Sequence, residues 1–584
     1  MHPDLTSYLE RQKARLVAEA PGFIAAIQGG GRPLGDGKDD QLAVFNEIDV
    51  LLAMLNGLDA GDAVLDQATV HDCLLRSLTY AFELLDERGF IAGWDIDGKP
   101  VSGMFFFWGN LLCLVAFEEL GSEYAERLRP FIRRTRAGVE CVKDAIARYA
   151  SYETKAYRGL NLLFLDIVTL YQAGRYFDEP AWQEIATRAS ERLMLRFDAQ
   201  EGFLPDSRDE DADVGPSSTY FLFSLFTASY FCRYLASQPL VEALQRSIDW
   251  HLRMSFPNGQ PLDIADERGR LYAGTEVEKA RSRLFCRSPL LLCSAGGRAL
   301  VQHWESVAST PYALGVVAND LNFFAAIAPE LVEAMDRPGS AWFATAPSGY
   351  HRQRNGKSAI LKTGDWVFAF HGYLSGPLDP KGMWHRELQQ HFSVYYHGIA
   401  NLLGGGNSLG QAEFSTFRTS TSHLCDRVEI LPRDGHIQCV VLSNDGWQAM
   451  LSIACDGGLH AEITFEVTRR GVGEAWLQIP VVGYSSRKQL LIDGTAVTSF
   501  DESPASGVAT ANATLHGTTD RLAYEVAMRF STPANYRWPV LPVNVRLPGI
   551  PPLPLTEAVT LLSFPMHQSP RVAVTLDIIT TARV

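Results

Sequence analysis

Three segments of the chain, LLDERGFIAGWDIDGK, LRFDAQEGFLPDSRD and LRMSFPNGQPLDIAD, repeat one pattern: a helical end, a glycine turn and an aspartate-bearing loop. Their glycines, Gly89, Gly202 and Gly259, stand 113 and 57 residues apart, so the first interval is close to twice the second. A period of about 55 residues suits one helical hairpin with its loops, and stacking such units buries faces that no single hairpin can bury. The stretches YAERLRPFIRRTRAGVECVKDAIARYA and PAWQEIATRASERLMLRF place apolar residues three and four apart, with charges on the other face. By contrast, LNLLFLDIVTLYQAGRYF and TYFLFSLFTASYFCRYL are apolar nearly all round, which suits inner helices enclosed by charged outer ones. The expected arrangement is an α/α toroid, an incomplete barrel whose inner-helix starts line a central cleft.

After about Trp342 the pattern changes to alternation and turns. SAILKTGDWVFAFHG, QCVVLSNDGWQAMLSIACDG, HAEITFEVTRRG and VAVTLDIITTARV read as strands. Asp434-Gly435, Asp456-Gly457 and Asp493-Gly494 punctuate them, and Asp-Gly favours tight hairpins because their turns need positive φ. The fold class is therefore multidomain α+β, with an N-terminal α/α toroid over 1–338 and C-terminal antiparallel β-sandwich sheets over 339–584. The edge of the sheets is expected to close one side of the cleft, since sites favour such domain junctions.

Composition excludes several classes. Hydrophobic residues make up 46% of the 584 residues and charged residues 20%, the balance of a folded globular protein. The net charge of -15 disfavours nucleic acid or an anionic membrane surface as partner, leaving room for a local basic site that holds a few carboxylates. No stretch offers about 18 uninterrupted apolar residues, and the first residues lack the basic and apolar regions of a signal peptide, so a cytoplasmic location is expected. Nine cysteines without a CxxC pair, several inside apolar helical runs (Cys113, Cys232, Cys293), read as buried free thiols.

Chemistry concentrates in WHRELQQHFSVYYHG, residues 384–398, which holds three of the fourteen histidines. A strand from His391 to His397 puts His391, Ser393, Tyr395 and His397 on one face and Phe392, Val394 and Tyr396 on the other. His385 and Arg386 precede it in a loop begun by GPLDPKG, where functional side chains are often carried. The competing reading makes these histidines ordinary sheet or core residues. A second constellation opens the inner helices. Asn161 follows the basic loop KAYRG, and Tyr220, 59 residues later, follows DVGPSST, so both should face one end of the cleft. The competing reading takes Asn161 as a helix cap and Tyr220 as a buried aromatic.

These segments resemble a known family. GFLPDSRDEDADVGPSSTYFLFSL is similar to the tyrosine-bearing segment of heparinase II/III-like polysaccharide lyases, and HRELQQHFSVYYHGIANLLGGGNS resembles their histidine strand and following turn. FSTFRTSTSHLCDRVEI resembles their later arginine-to-histidine stretch, with His423 at the histidine. The resemblance implies cleavage of a uronic-acid-containing oligosaccharide or polysaccharide by β-elimination, without a cofactor. Negative charge accumulates on the sugar acid as its C5 proton leaves, and preorganised donors must absorb it. Asn161, Arg158 or a cleft histidine would do so. Tyr220 matches the family tyrosine, the acid for the departing oxygen and sometimes also the base. Its phenol, with a reference pKa of about 10, needs positive neighbours for the second role. His385 matches the sheet histidine, with Arg386 competing for that place. Two departures matter. Leu162 stands where many relatives follow the asparagine with a histidine, and LLGGGNS lacks the aspartate that holds zinc in some relatives, so no metal is expected.

Further candidates for substrate binding are His391, His423 and the tryptophans Trp94, Trp108 and Trp384, for stacking on sugar rings or simply for packing. Arg283, with Arg281 and Arg287, offers guanidinium forks to carboxylates, or else pairs with Glu276 and Glu278 on a helix surface. Two alternative chemistries remain open: a uronyl C5-epimerase, which shares proton abstraction, and an inverting glycoside hydrolase using loop acids such as Asp95, Asp97, Asp206 and Glu276. A glycan-binding protein without turnover is the non-enzymatic alternative.

Overall fold

The computed structural model describes residues 3–34, 42–57, 66–83, 95–96, 99–100, 104–154, 160–198, 201–203, 218–256, 287–308, 313–336, 348–374, 389–405, 411–432, 438–482, 488–497, 504–519, 522–541, 555 and 558–582. Its first part holds twelve described α-helices. They are α1 (Pro3–Gln28), α2 (Leu42–Gly57), α3 (Gln67–Glu83), α4 (Met104–Leu120), α5 (Ala125–Ala150), α6 (Leu160–Tyr176), α7 (Pro180–Leu193), α8 (Ser218–Leu235), α9 (Gln238–Arg253), α10 (Ala295–Ala308), α11 (Leu314–Ala326) and α12 (Pro329–Met335). The helices that are apolar all round pack on one another: α2 on α4, α4 on α6, α6 on α8, and α11 back on α2. Helices of mixed character, such as α5 and α7, pair outside them, as the charged faces of their sequences require.

A short ladder, β1 (Asp95–Ile96) with β2 (Lys99–Pro100), interrupts the helices. The remaining strands follow α12: β3 (Ser348–Arg352), β4 (Ser358–Thr363), β5 (Trp366–His371), β6 (Phe392–Tyr396), β7 (Ala400–Gly404), β8 (Phe417–Thr419), β9 (Arg427–Pro432), β10 (Gln438–Asn444), β11 (Trp447–Cys455), β12 (His460–Arg469) and β13 (Ala475–Val481). They continue with β14 (Gln489–Ile492), β15 (Thr495–Ala496), β16 (Ala505–Ala509), β17 (Asn512–Thr518), β18 (Leu522–Phe530), β19 (Ala534–Val540), β20 (Val559–Pro565) and β21 (Arg571–Ala582). Two antiparallel sheets result. One runs β16-β19-β20-β13-β7-β6-β5-β4-β3 with β8 beside β13, and the other β15-β14-β17-β18-β21-β12-β11-β10-β9.

Strands β4, β5 and β6 have no water-facing side. Alternation sends Trp366, Phe368 and Phe370 of β5, with Phe392, Val394 and Tyr396 of β6, into a core shared with the second sheet, where Phe392 meets Phe465 at 5.5 Å. The intervening Ile360, Val367, Ala369 and Tyr395 belong to the core of the helices, and Tyr395 stacks on Phe256 at 5.0 Å, just past α9. Each such side chain contributes roughly 1.5–3 kcal/mol by leaving water.

Of the expected Asp-Gly turns, Asp493-Gly494 joins β14 to β15 with both φ values positive, and Gly457 turns β11 into β12 at φ 86°. Asp434-Gly435 lies outside the described residues. Asp445-Gly446, a dipeptide not singled out above, makes a two-residue turn from β10 to β11 with φ of 47° and 78°. Cys113, Cys232 and Cys293 are buried, as expected, whereas Cys141 is exposed.

Arg287 corrects a reading of the sequence. It was expected to meet a substrate carboxylate or to pair on a helix surface, yet its side chain is fully buried and bonded to Asp320 of α11. Tyr8 of α1 donates to the same carboxylate at 2.8 Å and accepts from Arg287, also at 2.8 Å. The reason is distance in sequence: the carboxylate lies 33 residues downstream, beyond the reach of local spacing rules. A buried guanidinium left without its partner carries an uncompensated charge. Asp320→Ala is therefore expected to lower the unfolding free energy by about 3–5 kcal/mol, and Tyr8→Phe by about 1 kcal/mol, measured by urea unfolding.

Candidate functional site

The starts of α6 and α8 lie at one end of the helical assembly. α7 folds back on α6, with Gly174 against Gln183, and the turn after α7 lies on α9 through Arg246, Ser247 and Trp250. α9 in turn folds back on α8, where Phe221 meets Trp250 at 5.4 Å and stacks on His251 at 4.9 Å. Asn161 and the backbone of Tyr220 thus share an end, as the 59-residue spacing requires. Phe164 of α6 meets Phe231 of α8 at 5.6 Å. Asn161 itself is 6% exposed.

The turn at residues 198–203 is held by the Glu201 N–H on the Asp198 carboxylate at 2.6 Å and by the Asp198 N–H on the Phe203 carbonyl at 2.9 Å. Gly202 has φ 82°, and a Cβ there would strike Arg246 of α9. The glycine of the repeated pattern is thus required both by conformation and by close approach. Phe203 then meets Tyr373 edge-on at 6.5 Å, and Glu201 accepts the N–H of Arg354 between β3 and β4. Tyr373 lies two residues past β5, so the end of β5 stands beside the chain that leads into α8.

At that end, on the sheet face turned toward the helices, lie two buried histidines. His371 shares phase with Val367 and Ala369, and His391 with Ser393 and Tyr395. Their ring centroids are 5.0 Å apart. The His391 Nδ1 lies 3.1 Å from the His371 carbonyl, and its backbone N–H donates to Thr416 Oγ1 at 3.0 Å. A carbonyl only accepts, so Nδ1 carries the proton and Nε2 presents a bare lone pair, buried without a partner. Burial pushes the His391 pKa down to about 4. Burial, then the neighbouring His391, carries His371 well below the usual imidazole range. His391, expected to contact a glycan, is 1% exposed, and burial keeps it neutral within the sheet's inner packing. His397, expected on the same strand face, instead occupies the exposed turn after β6.

Around the junction stand Arg246 and Arg354, exposed, with Arg253, Arg352 and Lys357 half-buried. Arg253 is close enough to His351 to add to the lowering that burial imposes on that imidazole. A basic rim in a protein of net charge -15 raises the local concentration of anions. The acids Glu201 and Asp198 lie within the same turn, so the rim is mixed.

His423 is half-buried between β8 and β9. Trp108 lies in α4 and Tyr220 in α8, with side chains outside the described residues. Arg158, Arg283, Trp94, Trp384, His385 and Arg386 lie outside the described residues altogether. Among the described residues no three His, Cys, Asp or Glu side chains converge as a metal site, and no helix is long and apolar enough to cross a membrane. Two glycines of LLGGGNS have a local cause: Gly404 and Gly405 have φ of 65° and 69°, and a Cβ on Gly404 would strike the Phe392 carbonyl. His371 and Tyr373 were not anticipated, although the alternation of WVFAFHGY places both in phase with the helix-facing residues.

No family model matches the chain, and no curated protein matches it. Among solved structures, Heparinase III aligns at a TM-score of 0.51 and 11% identity, over 92% of this chain and 76% of that chain. The chain is similar in fold to Heparinase III. A Paenibacillus xanthan lyase aligns at a TM-score of 0.49 and 12% identity, over 98% of this chain and 59% of the other. The chondroitin AC lyase of Streptomyces coelicolor A3 aligns at 0.46 and 13%, over 99% and 80%. The fold expected from the resemblance is met in outline: helices first, then two antiparallel sheets, over most of Heparinase III.

The histidine pair carries a pH dependence with a definite sign. Unfolded imidazoles bind protons below about pH 6.5, whereas folded His391 resists protonation until about pH 4. The unfolded state then holds more protons, so stability falls as pH drops from 6.5 toward 4. His391→Gln should remove on the order of 3 kcal/mol of that loss, read as a flatter stability profile in urea unfolding at pH 7, 5.5 and 4.5.

Proposed function

We propose that the chain is a polysaccharide lyase that cleaves a uronic-acid-containing glycan by β-elimination. The observation that carries this reading is the contact of Phe203 with Tyr373, in a chain with the fold of Heparinase III. Phe203 is the last described residue before the segment leading to Tyr220. Tyr373 is the last but one before the segment carrying His385 and Arg386. The two stretches that the resemblance marks for catalysis therefore leave the described framework side by side. On this reading the helices of 1–338 form an incomplete α/α toroid, supported by the return of α11 onto α2, and 339–584 form a β-sandwich closing one side of its cleft.

The chemistry follows from charge. Abstraction of the C5 proton places negative charge on the sugar carboxylate, and donors aimed at that oxygen, Asn161 and Arg158, stabilise it without reorganising. The rim of Arg246, Arg253, Arg352, Arg354 and Lys357 suits an acidic glycan. Tyr220 protonates the departing glycosidic oxygen, and His385 or Tyr220 itself takes the proton. The buried pair of His371 and His391 is unsuited to that step: His391, with a pKa pushed down to about 4, is a weak base, and burial carries His371 well below the usual imidazole range as well.

A panel of uronate glycans, followed by ultraviolet absorbance, tests the proposal, since β-elimination leaves an unsaturated sugar. Product from at least one glycan is expected. Tyr220→Phe should lower kcat by roughly 10²- to 10⁴-fold, and Asn161→Ala by roughly 10²-fold or more. Exchange of the C5 proton with solvent but no absorbing product would replace the lyase by an epimerase. New reducing ends without absorbance, surviving in Tyr220→Phe, would indicate a hydrolase.

A further inference from the structure

We infer that Tyr373 is a positioning residue, which acts through Phe203, Trp250 and Phe221 to hold the first turns of α8 for the chemistry of Tyr220. This rests on the lyase reading for its catalytic consequence, but not for its structural one. The four rings form a continuous path from sheet to helix: Tyr373 to Phe203 at 6.5 Å, Phe203 to Trp250 at 5.3 Å, and Trp250 to Phe221 at 5.4 Å. All four are at most 3% exposed, so each ring is confined by its neighbours rather than by solvent. Phe221 is the residue after Tyr220, and His251, next to Trp250 in α9, also stacks on it at 4.9 Å. The fourth residue of α8 thus packs on two neighbouring rings of α9, one of which, Trp250, continues the path to the sheet.

The sheet end of the path is itself fixed. Tyr373 donates to Gln353 Oε1 at 3.1 Å and accepts from Asn355 Nδ2 at 3.3 Å, and Lys357 lies 6.0 Å from its ring. Gln353 and Asn355 belong to the β3–β4 turn, whose Arg354 N–H binds Glu201. The turn at 198–203 is therefore clamped from both sides. Its Gly202 carbonyl accepts from Ser247 of α9, while Glu201 and Phe203 meet the sheet. A single-domain helix start frays in its first turn, where four N–H groups lack intrahelical partners. Here the aromatic path supplies the restraint. Aromatic pairs of this kind are individually modest, so losing one should loosen the helix start without unfolding the protein.

The test compares Tyr373→Leu and Tyr373→Phe with the full-length parent. Hydrogen exchange, followed by mass spectrometry of peptides spanning 218–226, should accelerate at least tenfold in Tyr373→Leu and stay within about threefold in Tyr373→Phe, which keeps the ring. Exchange in the peptides of β11 and β12 should not change. With a glycan that the parent cleaves, Tyr373→Leu should lower kcat at least tenfold with KM within about twofold, and Tyr373→Phe should recover most of it. Unchanged exchange in 218–226 for Tyr373→Leu overturns the inference, as does acceleration spread equally over both halves of the protein. A rise in KM alone also overturns it. If the parent cleaves no uronate glycan, the lyase reading fails while the exchange comparison still decides the restraint.

Discussion

The first sheet has no solvent face over β4, β5 and β6, and the remaining architecture depends on that burial. One side of these strands completes the core of the second sheet through Phe368, Phe370 and Phe392, and the other completes the core of the helices through Ile360, Val367, Ala369 and Tyr395. Because side chains alternate with a period of two, a register slip of one residue would exchange the two sets. Small Ala369 and bulky Phe368 would then trade partners. The register of the sheet against the helices is thereby specified twice, and Tyr373, two residues past β5, continues the helix-facing phase to meet Phe203.

That constraint also explains the histidine pair. A strand with two apolar environments must end somewhere: β5 ends at His371 and β6 begins just after His391, the two rings lying 5.0 Å apart on the helix-facing side. An imidazole buried in its neutral form tolerates this position better than a permanently charged side chain, because it surrenders its proton instead of carrying charge into a dry site. The unpartnered Nε2 of His391 nevertheless leaves an acceptor unsatisfied, at a cost of about 1–3 kcal/mol. Residues that relieve neither packing nor solvation cost in the folded chain stand where the framework hands over to the segment bearing His385 and Arg386.

Much of this framework was legible in the sequence, because periodicity reports on which faces are buried. The apolar character of α6 and α8 identified the inner helices, Gly202 marked a turn that only glycine accommodates, and Asp493-Gly494 marked a hairpin. What was not legible is what depends on partners distant in the chain. Arg287 looked like one of three arginines on a helix, since nothing near it announces Asp320 or Tyr8. His391 looked like a cleft residue because alternation identifies two faces without saying that both are covered.

The placement of Leu162 bears on the proposed chemistry. Asn161 is buried and Leu162 half-buried, with Leu162 packed against the helical core, so the position that the resemblance to heparinase II/III-like lyases marks for a histidine contributes apolar contact instead. On the lyase reading proposed above, a base from the helical side would be Tyr220 and one from the sheet side would come from beyond Tyr373, since burial keeps His371 and His391 neutral. A phenol ionises only when positive charge lies close, and the cations at this junction, Arg246, Arg253, Arg352, Arg354 and Lys357, belong to α9 and to β3 and its turn. On that reading, Leu162 in place of a histidine puts the burden of proton abstraction at the sheet junction, and the closeness of sheet and helix starts would then serve chemistry as well as packing.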